Sequence, residues 1–297
     1  VTDNIVITGK TILEMTLMFI WGVSLTPLSI KLAGRFGLMD LPDPRKIHNE
    51  PIPRGAGLIL WVGYLFWCLM FAPAGWYFPA LATGGSMVFL VGYMDDMSSL
   101  NPMIRLSVHL LAAGLMVLPF QQGSPFFILI SVLWIAGCTN AYNLIDGMNG
   151  LSLSMAIVAM VSLAWEGAAT FALPVVGLSS GVLFWNFPRA RTFLGDGGVY
   201  LLGFVVANLI LRWGAKMLSE AGPSLIPVMV LLGGVPVLDT LVTILRRLMS
   251  RRSPFSPDRG HIHHRLLDMG LPVPVILVIL SSLQMILFRL GVLLLSL

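Results

Sequence analysis

Charge is what this sequence has least of. Only 11% of its 297 residues are Asp, Glu, Lys or Arg, where an average soluble domain carries about 25%. So few charges cannot cover a water-soluble protein of this length, and the surplus among the 57% of hydrophobic residues must face lipid. The shortage excludes a soluble α/β enzyme and a disordered tail. Cysteine is scarce too. Cys68 and Cys138 lie far apart in apolar runs, which excludes a secreted disulfide scaffold. Room is short as well: ten spans of about 20 residues leave roughly a hundred for everything else, too few for a large soluble domain.

What is present is a series of apolar windows, near 12–33, 56–74, 78–94, 103–120, 126–142, 151–170, 171–187, 198–216, 224–246 and 272–296. They predict an all-α, polytopic integral membrane protein of about ten transmembrane helices, folded as one membrane domain over 1–297. The first window is too long for a signal peptide and reads as a permanent anchor. Short, nearly chargeless turns alternate with long polar connections at about 34–55, 95–102, 143–150, 188–197 and 247–271. Of the 18 Lys and Arg residues, all but Lys10, Arg212, Lys216 and Arg289 lie in or beside the long connections. Cytoplasmic loops are enriched in these residues, so the long connections are expected to face the cytoplasm and both termini the periplasm.

Four acids share that face: Asp95 and Asp96 in GYMDDMSSL, Asp146 in NAYNLIDGMNG, and Asp196 in FLGDGG. Ionisable groups this close to hydrocarbon are costly and usually functional. Asn140, Asn143, Asp146 and Asn149 recur every three residues. On an ideal helix they would sweep across half the surface, and a helix end broken at Gly147 and Gly150 would gather them. Helix capping accounts for one or two of the four. Carboxylates and carboxamides without cysteine or metal-spaced histidine are hard oxygen ligands. They suit Mg²⁺, with Mn²⁺ as the alternative. The glycines around Asp196 open a span, where backbone N–H groups bind anions.

The last long connection carries six arginines and His261, His263 and His264 within 20 residues. Arg246, Arg247, Arg251 and Arg252 are accounted for by the positive-inside rule. The histidines beside Arg259 and Arg265 point instead to a grip on phosphates or a sugar. In the first connection, prolines hold the chain extended while Arg45, Lys46, His48 and Arg54 supply cationic donors. His109, alone in an apolar window, is expected to be a hydrogen-bonded interior histidine. Asp239 is expected to serve an internal ion pair with Arg246, two turns on, or a helix–helix hydrogen bond.

Together these segments resemble the polyprenyl-phosphate N-acetylhexosamine-1-phosphate transferases, and among them the WecA-like branch that starts O-antigen and related glycans. Asp95-Asp96 is similar to that family's paired aspartates, residues 140–151 to its Asn-rich segment, Asp196 to its Gly-Asp motif and SPFSPDRGHIHH to its His-x-His-His loop. Arg45, Lys46, His48 and Arg54 match its first loop. The resemblance runs from about Asp40 to Gly270 with the motifs in order. It implies transfer of a sugar-1-phosphate from a UDP-N-acetylhexosamine to undecaprenyl phosphate, with release of UMP, in the bacterial inner membrane. Asp196 would bind Mg²⁺, with Asn143 as a second ligand. Asp95 would deprotonate or orient the lipid phosphate, while Asp96 and Asp146 position substrate or metal. Substrate contacts would fall to Lys46, His48, Arg54, Asn140, Asn149, Arg259, His261, His263, His264 and Arg265. A covalent aspartyl-phosphate route and a homodimer stay open. No nucleic-acid partner is expected; membrane lipid is.

Two departures accompany the resemblance. Asn149 stands where many bacterial members have aspartate, and the tenth window ends this sequence where WecA-type members often carry an eleventh. The rival readings are a transporter of anionic or lipid-linked solutes and a polyprenyl diphosphate phosphatase. A transporter places its acids near the midplane and often shows repeat symmetry, neither of which is seen. A phosphatase has no need of long basic loops sized for a nucleotide.

Overall fold

The computed structural model describes residues 7–42, 50–117, 124–251, 253 and 260–297. Its elements in chain order are α1 (Gly9–Arg35), β1 (Met39–Asp40), β2 (Ile52–Pro53), α2 (Ala56–Met70), α3 (Tyr77–Met97), α4 (Pro102–Val117), α5 (Pro125–Ile145), α6 (Leu151–Leu163), α7 (Ala169–Asn186), α8 (Gly195–Glu220), α9 (Leu225–Met249), α10 (Ile262–Asp268) and α11 (Val273–Leu295). Within the described residues, each apolar window coincides with a helix. Among the described residues, seven helical runs are long and apolar enough to cross a membrane: α1, α3, α5, 151–186, α8, 222–249 and α11. The chain is an all-helical, multi-pass membrane protein.

The run 151–186 is not one rod. Glu166 (φ −84°, ψ 19°) and Gly167 (φ 92°, ψ −1°) leave the helical region, and α6 and α7 lie against each other. This break separates the two apolar windows read from the sequence, a few residues before the boundary drawn between them at 170. α2 and α4 are short, 15 and 16 residues, about 22–24 Å of helix against a hydrocarbon core of about 30 Å. The long connections hold three elements that periodicity did not reveal. β1 and β2 pair antiparallel, Met39 with Pro53 and Asp40 with Ile52, and the last connection contains α10.

The core is organised around α8. From Asp196 to Arg212 its sequence has no charge, and residues 197–211 are all buried. The polar Asn208 is satisfied within the helix, its amide donating to the Phe204 carbonyl at 2.8 Å. α2, α3, α5, α6 and α9 surround it, while α1 and α11 carry exposed Leu, Ile and Val on their outer faces. The first turn of α8 is seated by backbone contact. A Cβ on Gly92 of α3 would come within 2.5 Å of the Gly197 nitrogen, and one on Gly57 of α2 within 2.9 Å of Gly198. Only glycine permits helices to cross this closely.

α9 bends at Gly234 (φ 65°, ψ −142°), a region open essentially to glycine alone. Pro236 follows within the same helix. The Val235 N–H at the bend donates to Gln284 Oε1 of α11 at 2.8 Å. A buried side chain thus replaces the helical acceptor that the bend removes.

Candidate active site

Described residues of all five long connections meet around a cavity of ≈ 350 Å³. Each connection contributes to its wall: Asp40 and Arg54 from the first, Asp96 from the end of α3, Asn143 to Asn149 from α5 and the turn after it. Asn186 comes from the end of α7, Phe193 from the α7–α8 link, Gly195 and Asp196 from the start of α8, and His264 from α10.

Two ion-pair systems hold the acids. Arg54 donates to Asp96 Oδ1 at 2.9 Å and also binds Asp40, which joins the first connection to α3. Asp96 in turn accepts the backbone N–H groups of Asp196 and Gly197, so its charge sits on the positive end of α8. Behind the cavity, Arg105 of α4 pairs with Asp95 and lies 3.7 Å from Asp196 Oδ2 and 3.4 Å from the Tyr200 hydroxyl. The Leu100 N–H donates to Asp95 at 2.6 Å. Asn143 donates to the Tyr200 hydroxyl at 2.8 Å and lies 3.5 Å from Asp196 Oδ2. Asp196 is therefore both open to the cavity and framed by α3, α4 and α5.

Asp146 caps the end of α5 and faces the start of α6, where Ser152 donates its hydroxyl to Oδ1 at 2.6 Å. Burial pushes its carboxyl up to about 6. The Ser152 hydroxyl and N–H oppose that rise, and the nearby Asp96 charge adds to it. Asn186 ties the two acidic turns together: its side chain accepts the Gly150 N–H at 2.6 Å and donates to the Thr192 carbonyl at 2.8 Å.

Of the residues expected from sequence, Arg54, Asp96, Asn143, Asp146, Asn149, Asp196 and His264 line one cavity. Asp95 stands one layer behind it, on Arg105. Asn140, one helical turn from Asn143, donates to Nδ1 of the buried His109 at 2.9 Å, and His109 is the hydrogen-bonded interior histidine expected. His261 pairs with Asp239 at 2.6 Å, so Asp239 serves a helix–helix link rather than an ion pair with Arg246. His263 is buried against Gly147. Desolvation, with the neighbouring His264 and His261, lowers its imidazole to about 3, which leaves it neutral. Arg265 is exposed on α10. Arg45, Lys46, His48 and Arg259 lie outside the described residues.

Sequence reasoning missed Asp40, Arg105, Tyr200, Asn186, Phe193 and Ser152. Helical spacing held a signal for two of them. Tyr200 follows Asp196 by four positions and Arg105 precedes His109 by four, so each pair shares a helix face. Nothing local marked Asp40 or Asn186, whose partners Arg54 and Gly150 lie 14 and 36 residues away.

The donors on the cavity wall are carboxylate and carboxamide oxygens, the set that Mg²⁺ accepts. Among the described residues no three His, Cys, Asp or Glu side chains converge as a metal cage. A hard cation bound through one or two carboxylates and completed by substrate phosphates needs none.

Comparison with known proteins agrees with this geometry. The model of glycosyl transferase family 4 matches residues 78–214, which run from the start of α3 through most of α8. The chain is 30% identical to the probable undecaprenyl-phosphate N-acetylglucosaminyl 1-phosphate transferase of Bacillus subtilis (strain 168), over 83% of this chain and 74% of the relative. It is 31% identical to the undecaprenyl-phosphate alpha-N-acetylglucosaminyl 1-phosphate transferase of Salmonella typhi, over 86% and 76%. With the decaprenyl-phosphate N-acetylglucosaminephosphotransferase of Mycolicibacterium smegmatis it shares 29% identity, over 80% and 71%. A multi-pass helical bundle with an acidic, arginine-braced cavity at one end, and this degree of identity along most of its length, identify the chain as a transferase belonging to glycosyl transferase family 4.

Proposed function

We propose that the protein transfers N-acetylhexosamine-1-phosphate, or a 6-deoxy variant, from a UDP-sugar to undecaprenyl phosphate, releasing UMP. The step would initiate O-antigen or another cell-surface glycan. The observation that carries this reading is the cavity itself: Asp96, Asp146 and Asp196 converge with Arg54 and His264 at the end of a lipid-embedded bundle. We place ten spans in the bacterial inner membrane, with both termini periplasmic and the cavity cytoplasmic, because most Lys and Arg residues crowd the connections that form it.

An oxygen of the lipid phosphate attacks the sugar-linked phosphorus. The bond from that phosphorus to the bridging oxygen of UMP breaks, and UMP departs. Asp196, with Asn143 beside it, would hold Mg²⁺ (or Mn²⁺), which when bound would supply charge neutralisation for the diphosphate. Arg54 and His264 orient the diphosphate and sugar from opposite connections. Asp95, behind the cavity, does not meet the lipid phosphate as the sequence suggested; it fixes the Arg105 guanidinium beside Asp196, and the lipid phosphate attacks in its ionised form. Asp96 anchors the start of α8, and Asp146 is the carboxylate nearest the turn that carries Asn149.

The test supplies membranes containing the protein with undecaprenyl phosphate, Mg²⁺ and, in turn, UDP-GlcNAc, UDP-GalNAc and a UDP-6-deoxy-HexNAc. At least one donor should yield UMP in a Mg²⁺-dependent manner. Absence of UMP with all three overturns the reading.

A further inference from the structure

Asp239 lies on the inner half of α9, five residues past the Gly234 bend, with 9% of its surface exposed. Both of its oxygens are committed to the last connection. Oδ2 is 2.6 Å from His261 Nδ1, and Oδ1 accepts the Ile262 N–H at 2.8 Å. A carboxylate can only accept, so this pairing puts the proton of a neutral His261 on Nδ1. One face of α9 adds a third tie, since Arg246 donates to the Gly260 carbonyl at 2.7 Å. α10 therefore starts at a point fixed by α9.

From that start two contacts carry the position into the cavity. The His263 ring is 99% buried, and its Nε2 occupies the space a Cβ on Gly147 would need, at 2.1 Å. The His264 ring lies 4.2 Å from it, centroid to centroid, and lines the cavity. Asp239 itself does not line the cavity. The direction of the inner half of α9 is set by the bend and by the Gln284 bond, not by the substrate wall.

We infer that Asp239 is a positioning residue for donor binding: through His261 and the start of α10 it sets where His264 stands opposite Asn149 and Asp146. The inference rests on the transferase reading above and deepens it, since it assigns part of the grip on the UDP-sugar to a residue that never touches it. An error of an ångström in such a group costs on the order of a hundredfold when it bears on the reacting atoms, and less when it bears on binding alone. Asp239→Asn keeps the size, but with its oxygen on the Ile262 N–H it turns an NH₂ donor toward His261, so the bond from a protonated Nδ1 is lost and contact returns only if the proton moves to Nε2.

The experiment compares purified wild type, Asp239→Asn and Asp239→Glu for UMP release with varied UDP-sugar and varied undecaprenyl phosphate. In Asp239→Asn the KM for UDP-sugar should rise roughly tenfold, with kcat and the KM for the lipid within about threefold of wild type. Asp239→Glu, which restores both acceptors, should recover part of the loss. A fall in kcat at unchanged KM, or no change at all, overturns the inference. Nitrogen-15 NMR of histidine-labelled wild type, with His261→Gln for assignment, gives a test that needs no folded Asp239 variant. A neutral His261 protonated on Nδ1 supports the inference, and one protonated on Nε2 overturns it. Failure of wild type to release UMP counts against the transferase reading alone, because the tautomer is read without turnover.

Discussion

The two walls of the cavity are built differently. Asp96 and Asp196 stand on α3 and α8, and what sets them is backbone against backbone: Gly92 on Gly197 and Gly57 on Gly198. The opposite wall, around His264, hangs from a seven-residue helix by the polar bonds of Asp239 and Arg246 and by one buried imidazole. Asp196, the proposed metal ligand, and Asp96, which anchors α8, are held by the part of the protein that side-chain substitution barely moves. Groups that recognise a larger donor are held by contacts that single substitutions can loosen. Damage to the first wall should therefore abolish turnover, whereas damage to the second should weaken binding.

The largest effect is expected at the first wall. Asp196→Asn should lower kcat by about a hundredfold or more and remove the Mg²⁺ dependence of nucleotide binding, read by titration with the metal. Turnover at wild-type level would remove Asp196 from the metal site. Gly92→Val breaks the same wall without touching an acid. The added side chain meets backbone, so both activity and thermal stability should fall, the latter by about 1–3 kcal/mol as for overpacking. If Gly92→Val lost stability yet kept full kcat, the close crossing would not be what places Asp196.

A smaller effect belongs to Asp146. With its carboxyl at about 6, turnover that needs the ionised form falls as pH drops through that value. Ser152→Ala removes a donor to the carboxylate and should move this acid limb to higher pH, by up to about one unit in the kcat profile. A limb that stayed in place would mean Asp146 does not control it.

The smallest belongs to the second wall. His263 is held at about 3 in the folded protein, against about 6.5 for an unperturbed histidine. Between those values the unfolded chain binds a proton that the buried ring refuses. Stability is therefore full above about pH 6.5 and is lost as pH falls toward 3, by about 2 kcal/mol at pH 5. Thermal melts at pH 7 and pH 5 should show a drop that is smaller in His263→Gln. Equal drops would show that His263 stays hydrated in the folded state.

The difference between the walls also explains what could be read in advance. The helices announced themselves through apolar windows, and the acids through their rarity beside hydrocarbon: Asp96, paired with Asp95, and Asp146 and Asp196 were all identifiable as charges at or near window ends. Asp40 was not, because its role depends on a two-stranded pairing with Ile52 that brings it to Arg54, and pairing between two-residue strands has no periodicity to detect. His261, His263 and His264 read as one substrate-binding cluster. Folding splits them among Asp239, Gly147 and the cavity, since neighbouring residues on a short helix point in different directions. The break at Gly234 was equally hidden, as the apolar window runs through it.

The most direct test of the account follows the phosphorus. UDP-GlcNAc, or whichever donor proves active, would be labelled at its sugar-linked phosphate and incubated with the protein, undecaprenyl phosphate and Mg²⁺. The label should enter the lipid fraction together with the sugar, unlabelled UMP should appear in equal amount, and Asp196→Asn should abolish both. Label that stayed with the nucleotide as UDP, or appeared as inorganic phosphate, would contradict sugar-1-phosphate transfer.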